Sequence, residues 1–196
     1  MRNKTKKKQK GAKGKEQTKR REKTMECERA MRNVESMLER RGYACEGDGL
    51  FAAGETRLVV VRAEKLSVHT ARDTAAAAVA RGAGTLLFLL GAAPTAPVRL
   101  AIAELERATG LVLEVFTVGE MQINVLDHEL QPSFRAMAES EVRALLAERR
   151  VKLPQLPRIL ASDPCARYLG ARRGTVLCIT RRPASANELV TYRVVT

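Results

Sequence analysis

Residues 85–118 read TLLFLLGAAPTAPVRLAIAELERATGLVLEVFTV, and the alternation inside this stretch decides the fold. TLLFLLG is an apolar run of strand length, and LVLEVFTV, apolar but for Glu114 and Thr117, is a second one. Between them PVRLAIAELERATG carries apolar residues at helical spacing, opened by Pro94 and Pro97 and closed by Gly110. Proline suits the first position of a helix, where its missing N–H would have had no intrahelical acceptor. Two apolar strands joined by a crossover helix make a βαβ unit, whose strands run parallel. Upstream, RLVVVRA (57–63) is a β-branched run, and TARDTAAAAVARGAG (70–84) is an Ala-rich helix closing at Gly82 and Gly84. MECERAMRNVESMLERRG (25–42) sets Met25, Ala30 or Met31, Val34, Met37 and Leu38 at helical spacing before Gly42. The order α-β-α-β-α-β predicts an α/β domain over 25–120. Its sheet is expected to be largely parallel and covered on both faces, with EGDGLFAAGE (46–55) as a loop.

Beyond Gly119 the texture changes, with Pro132, Pro154, Pro157, Pro164 and Pro183 separating short elements. AESEVRALLAERR (138–150) is the one full helix expected there, with Val142, Leu145 and Leu146 as its apolar stripe. Glu139 near its start and Arg149 and Arg150 at its end complement the helix dipole. TVLCITRRPASANELVTYRVV (175–195) predicts two strands joined by a loop at PASANE. A small mixed α+β domain over 121–196 is therefore expected.

The 196 residues are 45% apolar, enough to bury the core of one domain or two small ones. Charge is unevenly spread: residues 1–24 hold 12 Lys/Arg against Glu16 and Glu22, a net +10, leaving +3 of the total +13 for the rest. This tail has almost nothing apolar to bury and is expected to be disordered and mobile. Lys6, Lys7, Lys8, Lys10, Arg20 and Arg21 are its candidates for salt-dependent contact with nucleic acid, or for nuclear import; a solvated tail without a specific ligand is the bland alternative. Behind these charges stands no apolar segment of a secretory signal, so export is not expected. TLLFLLGAAP falls short of the roughly 18–20 apolar residues that span a bilayer, so no membrane role is expected. Cys27, Cys45, Cys165 and Cys178 form no C-x-x-C pair, and His69 and His128 are the only histidines to join them, so neither a disulfide framework nor a metal site nor any cofactor is expected.

Four signatures follow one another in the C-terminal third: INVLDHELQP (123–132), LLAERRVKLPQLPRI (145–159), DPCARYLG (163–170) and RRGTVLCITRR with TYRVV (172–182, 191–195). DPCARYLG is by itself a helix start, Asp163 capping free amides and Pro164 taking the first helical position, with Gly170 closing the turn. Together the four resemble the assembly domain of the fifth common subunit of eukaryotic nuclear RNA polymerases and of its archaeal counterpart. The resemblance runs through His128, Leu130 and Pro132, then Leu156, Pro157, Arg158 and Ile159, then Asp163, Pro164, Ala166, Arg167, Tyr168 and Gly170. Arg173, Gly174, Val176, Ile179, Tyr192 and Arg193 complete it. Phe134 stands where the family has a second His, Cys165 where it has Val, and no Gly stands near Ala186 or Asn187, where the family has one.

That resemblance implies a non-catalytic, nuclear polymerase subunit whose C-terminal domain docks on the largest subunit among other polymerase subunits, without a small-molecule ligand. It implies a jaw-like N-terminal domain of nuclease-like layout, near downstream duplex DNA. Arg158, Arg167, Tyr168, Arg172, Arg173, Tyr192 and Arg193 are then the candidate docking residues, since guanidinium forks suit carboxylates and carbonyls of a neighbour. His128, Pro132, Pro157, Asp163, Pro164, Gly170 and Gly174 are expected to be structural.

Two other classes stand beside this reading. A free-standing basic nucleic-acid-binding protein would use Arg158, Arg167, Arg172, Arg173, Arg181 and Arg182, but only Tyr168 and Tyr192 offer rings near them for base stacking. A metal-dependent nuclease would need an Asp with a Glu-x-Lys set. Asp48, Glu55, Glu64 and Lys65 approach that set, but Glu64 and Lys65 are adjacent and Arg57 stands where Lys is wanted after Glu55. His128, read on an extended strand between Asp127 and Glu129, does not converge with them, and His69 is expected at the surface without a partner.

Overall fold

The computed structural model describes residues 2–47, 49–181 and 188–196, with side chains from Arg21 onward. The chain divides into two units, Met1–Ile123 and Asn124–Thr196. In the first, α1 (Arg2–Arg40) precedes β1 (Ala44–Gly47), β2 (Leu50–Ala53), β3 (Thr56–Ala63), α2 (Val68–Ala80), β4 (Ala83–Leu90), α3 (Ala96–Thr109) and β5 (Val112–Thr117). One sheet holds the strands in the order β1-β2-β3-β4-β5.

β3, β4 and β5 are parallel, as the βαβ reading requires, but β1–β2 and β2–β3 are antiparallel. The expected largely parallel sheet is thus mixed, and EGDGLFAAGE is a strand between two turns rather than a loop. Gly54 and Glu55 alone separate the Ala53–Thr56 pair, and Gly54 sits at φ 61. A two-residue hairpin turn demands positive φ, which glycine adopts without a Cβ clash.

Two helical layers sandwich this sheet. Leu86, Phe88 and Leu90 of β4 share a core with Val59 and Leu113 and with Ala71, Ala75, Ala78, Val98 and Ile102 of α2 and α3. Successive strand residues face opposite ways, so the fully buried Leu87 and Leu89 point to the other face. α1 covers it. Glu114, beside Leu87 in the β4–β5 register, binds Arg41 at the C-terminal end of α1, whose Ala30, Val34, Met37 and Leu38 are fully buried. Asn33 Nδ2 also donates to the Met121 carbonyl at 2.7 Å, and Gln122 Nε2 to the Glu26 carbonyl at 2.8 Å.

α1 begins at Arg2, and its first half is continuous with the packed part of the helix. Lys, Arg, Gln, Glu and Ala are good helix formers and no proline interrupts residues 1–40, while Gly11 and Gly14 act against the helix. The packed turns around Val34 supply the nucleus that an isolated peptide would have to form unaided.

In the second unit β6 (Ser133–Ala136), α4 (Glu139–Arg149), β7 (Arg158–Ile159), α5 (Pro164–Tyr168), β8 (Val176–Arg181) and β9 (Leu189–Val195) follow in order. The sheet order is β6-β8-β9-β7, with β7 parallel to β9 and the other pairs antiparallel. Ile159, Ala166, Leu177 and Val195 form its core, with Phe134, Ala161, Leu169 and Ala171 packed against them. Of the α4 stripe only Leu145 is buried, while Val142 and Leu146 are half-buried. Ala138 has no side-chain acceptor to cap α4. Instead the Glu141 carboxylate reaches back to the Ala138 N–H at 2.9 Å and to Arg135 Nη1 at 2.8 Å. The Arg135 hydrogen bond, then that amide, hold the Glu141 carboxyl below the usual glutamate range. Most of the expected loop at 183–188, with Arg182 and Ala186, lies outside the described residues, as does Asp48.

Candidate functional site

Asp163 folds the segment on which the site rests. Its Oδ1 accepts from the Cys165 N–H at 2.9 Å and the Ala166 N–H at 3.4 Å, two of the amides that a helix start leaves without partners. Pro164 takes the first position of α5. The helix stops one turn later: the Gly170 N–H donates to the Arg167 carbonyl and the Ala171 N–H to the Ala166 carbonyl, with Gly170 at φ 64. This paired closure needs a left-handed residue, which glycine supplies.

The chain then makes a second tight turn. The Thr175 N–H donates to the Arg172 carbonyl at 2.9 Å, and the Arg172 N–H donates to Thr175 Oγ1 at 3.2 Å. Gly174, at φ 90, donates its N–H to the Val195 carbonyl at 2.9 Å, tying the turn to the end of β9. Arg172 and Arg173 are thereby fixed at an exposed corner while Val176 and Leu177 enter the core.

β7 brings two more of the expected residues to the same end of the sheet. Arg158 pairs with Val194, and Arg193 Nη1 reaches the Arg158 carbonyl at 3.5 Å; both arginines are exposed. Pro157 directly precedes this strand, its carbonyl accepting from the Val194 N–H at 2.8 Å. Arg158, Arg172, Arg173 and Arg193 are thus gathered around the C-terminal end of β9. Tyr192 is half-buried one residue before Arg193, and Arg167 is half-buried on α5.

Tyr168, a docking candidate in the sequence, packs in the core of the second unit. It is 3% exposed, because α5 turns it inward beside Cys165 and Ala166. His128 is not on a strand: it follows a 3-10 turn at Val125–Asp127, and its Nδ1 accepts from the Leu130 N–H at 3.2 Å. Asp127 is engaged with Asn124, and the exposed imidazole holds a loop. Pro132 is half-buried directly before β6. His69 also differs, pairing through Nδ1 with Asp73 at 2.6 Å within α2.

The structure adds apolar residues that the charged pattern had hidden. Leu160, directly after β7, is 65% exposed, and Leu130 is 85% exposed. Leu130 borders a crevice of about 750 Å³ with Glu129, Pro132, Thr180, Arg181 and Glu188. Leu189, opposite Arg181 in the β8–β9 register, is exposed at the same end of the sheet.

The thiol of Cys165 is buried, with Gln131 Nε2 donating to its sulfur at 2.9 Å. Burial, and next the nearby Asp163, push its pKa up to about 11. It therefore stays protonated at neutral pH and packs like the small apolar residue whose place it takes.

Helix start, Gly-closed turn and arginine corner follow in one contiguous order, and residues 123–195 match the family described as RNA polymerase Rpb5, C-terminal domain. All of the docking and structural candidates outside the arm fall within the matched residues. The "DNA-directed RNA polymerases I, II, and III subunit RPABC1" of Caenorhabditis elegans is 42% identical over 90 residues, 46% of this chain and 43% of the relative. The "DNA-directed RNA polymerase subunit 5-like protein 1" of Arabidopsis thaliana is 40% identical over 99 residues, 50% of this chain and 46% of the relative. The "DNA-directed RNA polymerases I, II, and III subunit rpabc1" of Dictyostelium discoideum is 37% identical over 94 residues, 48% of each chain. The match spans less than half the length of each of these relatives.

In the first unit the acidic residues weighed for a nuclease are spread apart. Glu55 lies in the β2–β3 turn and Glu64 follows the far end of β3, about 25 Å away along eight extended residues. Glu64 is engaged with Lys23 Nζ at 2.6 Å. Among the described residues no group of three His, Cys, Asp or Glu is placed to hold a metal ion, and no helix is long and apolar enough to cross a membrane.

Proposed function

We propose that this chain is a non-catalytic subunit of a nuclear DNA-dependent RNA polymerase. Its Rpb5 C-terminal domain docks on the largest subunit through Arg158, Arg172, Arg173 and Arg193, with Leu160 as an apolar companion. The observation that carries this reading is the Arg172–Thr175 turn inside the matched domain: apolar residues on either side fold the core, and the arginines are left exposed at one corner. Exposed guanidinium groups beside an apolar side chain have the composition of a protein interface. Tyr192, half-buried, and Arg167 border this face. The α/β unit serves as the jaw-like part, and the basic arm makes a non-specific, salt-dependent contact with downstream duplex DNA.

Sizing of a nuclear extract separates the rival classes. A polymerase subunit migrates in a complex of hundreds of kilodaltons, whereas a free-standing nucleic-acid-binding protein migrates alone after nuclease treatment, which overturns the proposal.

A further inference from the structure

We propose that the basic arm acts as a helix continuous with the α/β unit, and that its ligand is duplex nucleic acid, whose phosphates hold that helix together. This rests on the reading of the arm as a polyanion contact and specifies how the contact is made. α1 is a single helix from Arg2 to Arg40, and its second half is fixed at several points. Ala30, Val34, Met37 and Leu38 are buried, Asn33 and Glu26 are bonded to the segment after β5, and Lys23 pairs with Glu64 after β3. Helix nucleation is thus supplied by packing, and every residue toward Arg2 needs only propagation.

The charges of the arm oppose that propagation when it is alone. Lys4 and Lys8, Lys6 and Lys10, Lys15 and Lys19, and Lys19 and Lys23 stand four residues apart, where like charges repel on a helix. The first turn holds no acidic residue, and Arg2 and Lys4 lie at the positive end of the helix dipole. A dense polyanion removes both penalties together.

Geometry favours a duplex over an acidic protein segment. Residues 2–23 on a helix span about 33 Å, about one turn of B-DNA. Lys6-Lys7-Lys8 and Lys19-Arg20-Arg21 are consecutive, which on any helix distributes charge around the axis rather than along one stripe. A helix about 10–12 Å across lying in a major groove about 12 Å wide has phosphates on both sides, as that distribution requires. An acidic segment offers anions from one side.

The test is fluorescence anisotropy of the full chain on a 30-base-pair duplex (about three helical turns) across a salt series, with Gln17→Pro, Gln17→Ala and deletion of residues 1–22. Gln17→Pro leaves the charge unchanged and breaks the helix outside its packed part, so the melting temperature should stay that of the parent. Its affinity should fall roughly tenfold or more below that of Gln17→Ala. If the two bind alike, the arm works as an unstructured polycation and the helix inference is overturned, while the DNA contact stands. If the deletion leaves affinity and salt slope unchanged, the DNA contact itself fails. Competition by polyglutamate as effective as by the duplex overturns the choice of ligand.

Discussion

Arg41 binds both carboxylate oxygens of Glu114 through one nitrogen, Nη1 lying 3.0 Å from Oε1 and 2.8 Å from Oε2. The Arg41 side chain is only 7% exposed, so this pair closes the α1 layer over the sheet face formed by β4 and β5. Removing one partner leaves the other charge partly desolvated. Arg41→Ala is expected to destabilise the α/β unit by about 3 kcal/mol. Chemical denaturation of Arg41→Ala, Glu114→Ala and the double variant measures it, and strictly additive losses would show that the two residues do not act as a pair.

Asp163 and Gly174 fix the shape of the arginine corner from opposite sides. Asp163→Ala removes the acceptor of two amides and should cost about 1 kcal/mol of stability in the second unit. Gly174→Ala forces a Cβ into φ 90, where nothing crowds it but the backbone is strained, and should cost about 1–2 kcal/mol. Thermal melts check both. A Gly174→Ala variant as stable as the parent would mean that the turn relaxes freely.

Cys165 gives an alkaline signature. Its pKa in the folded chain, about 11, lies above the ordinary thiol value of 9.0, so as pH rises the unfolded chain loses this proton first. Stability conferred by the buried neutral thiol is complete below the ordinary value and is lost as pH climbs toward the folded value. Cys165→Val keeps the apolar packing and removes the titration. Its melting temperature should therefore fall less than that of the parent between about pH 9 and 11. Parallel curves would contradict the assignment. At neutral pH a thiol reagent should modify the exposed Cys45 and spare Cys165 until unfolding.

Much of this architecture was legible from residue order. The runs at 57–63, 85–90 and 111–118 are largely apolar because their strands are covered on both faces, and the period of the intervening helices changes accordingly. β2 escaped because Leu50–Ala53 is four residues long and half alanine, although the glycines on either side were hairpin signals. At the site, the arginine corner followed from the motif, but the inward turn of Tyr168 depends on where α5 begins, and the Arg41–Glu114 pair, separated by 73 positions, left no local trace.

The central claim concerns what the exposed arginines touch. Affinity purification of the tagged full chain, alongside Arg172→Glu with Arg173→Glu, tests it most directly through the largest protein recovered. The parent should bring down the largest subunit of an RNA polymerase. The doubly reversed variant should bring down markedly less of it while keeping the parent's melting temperature, since both positions are exposed. Recovery of no polymerase subunit by the parent, or undiminished recovery by the variant, would contradict docking through this corner.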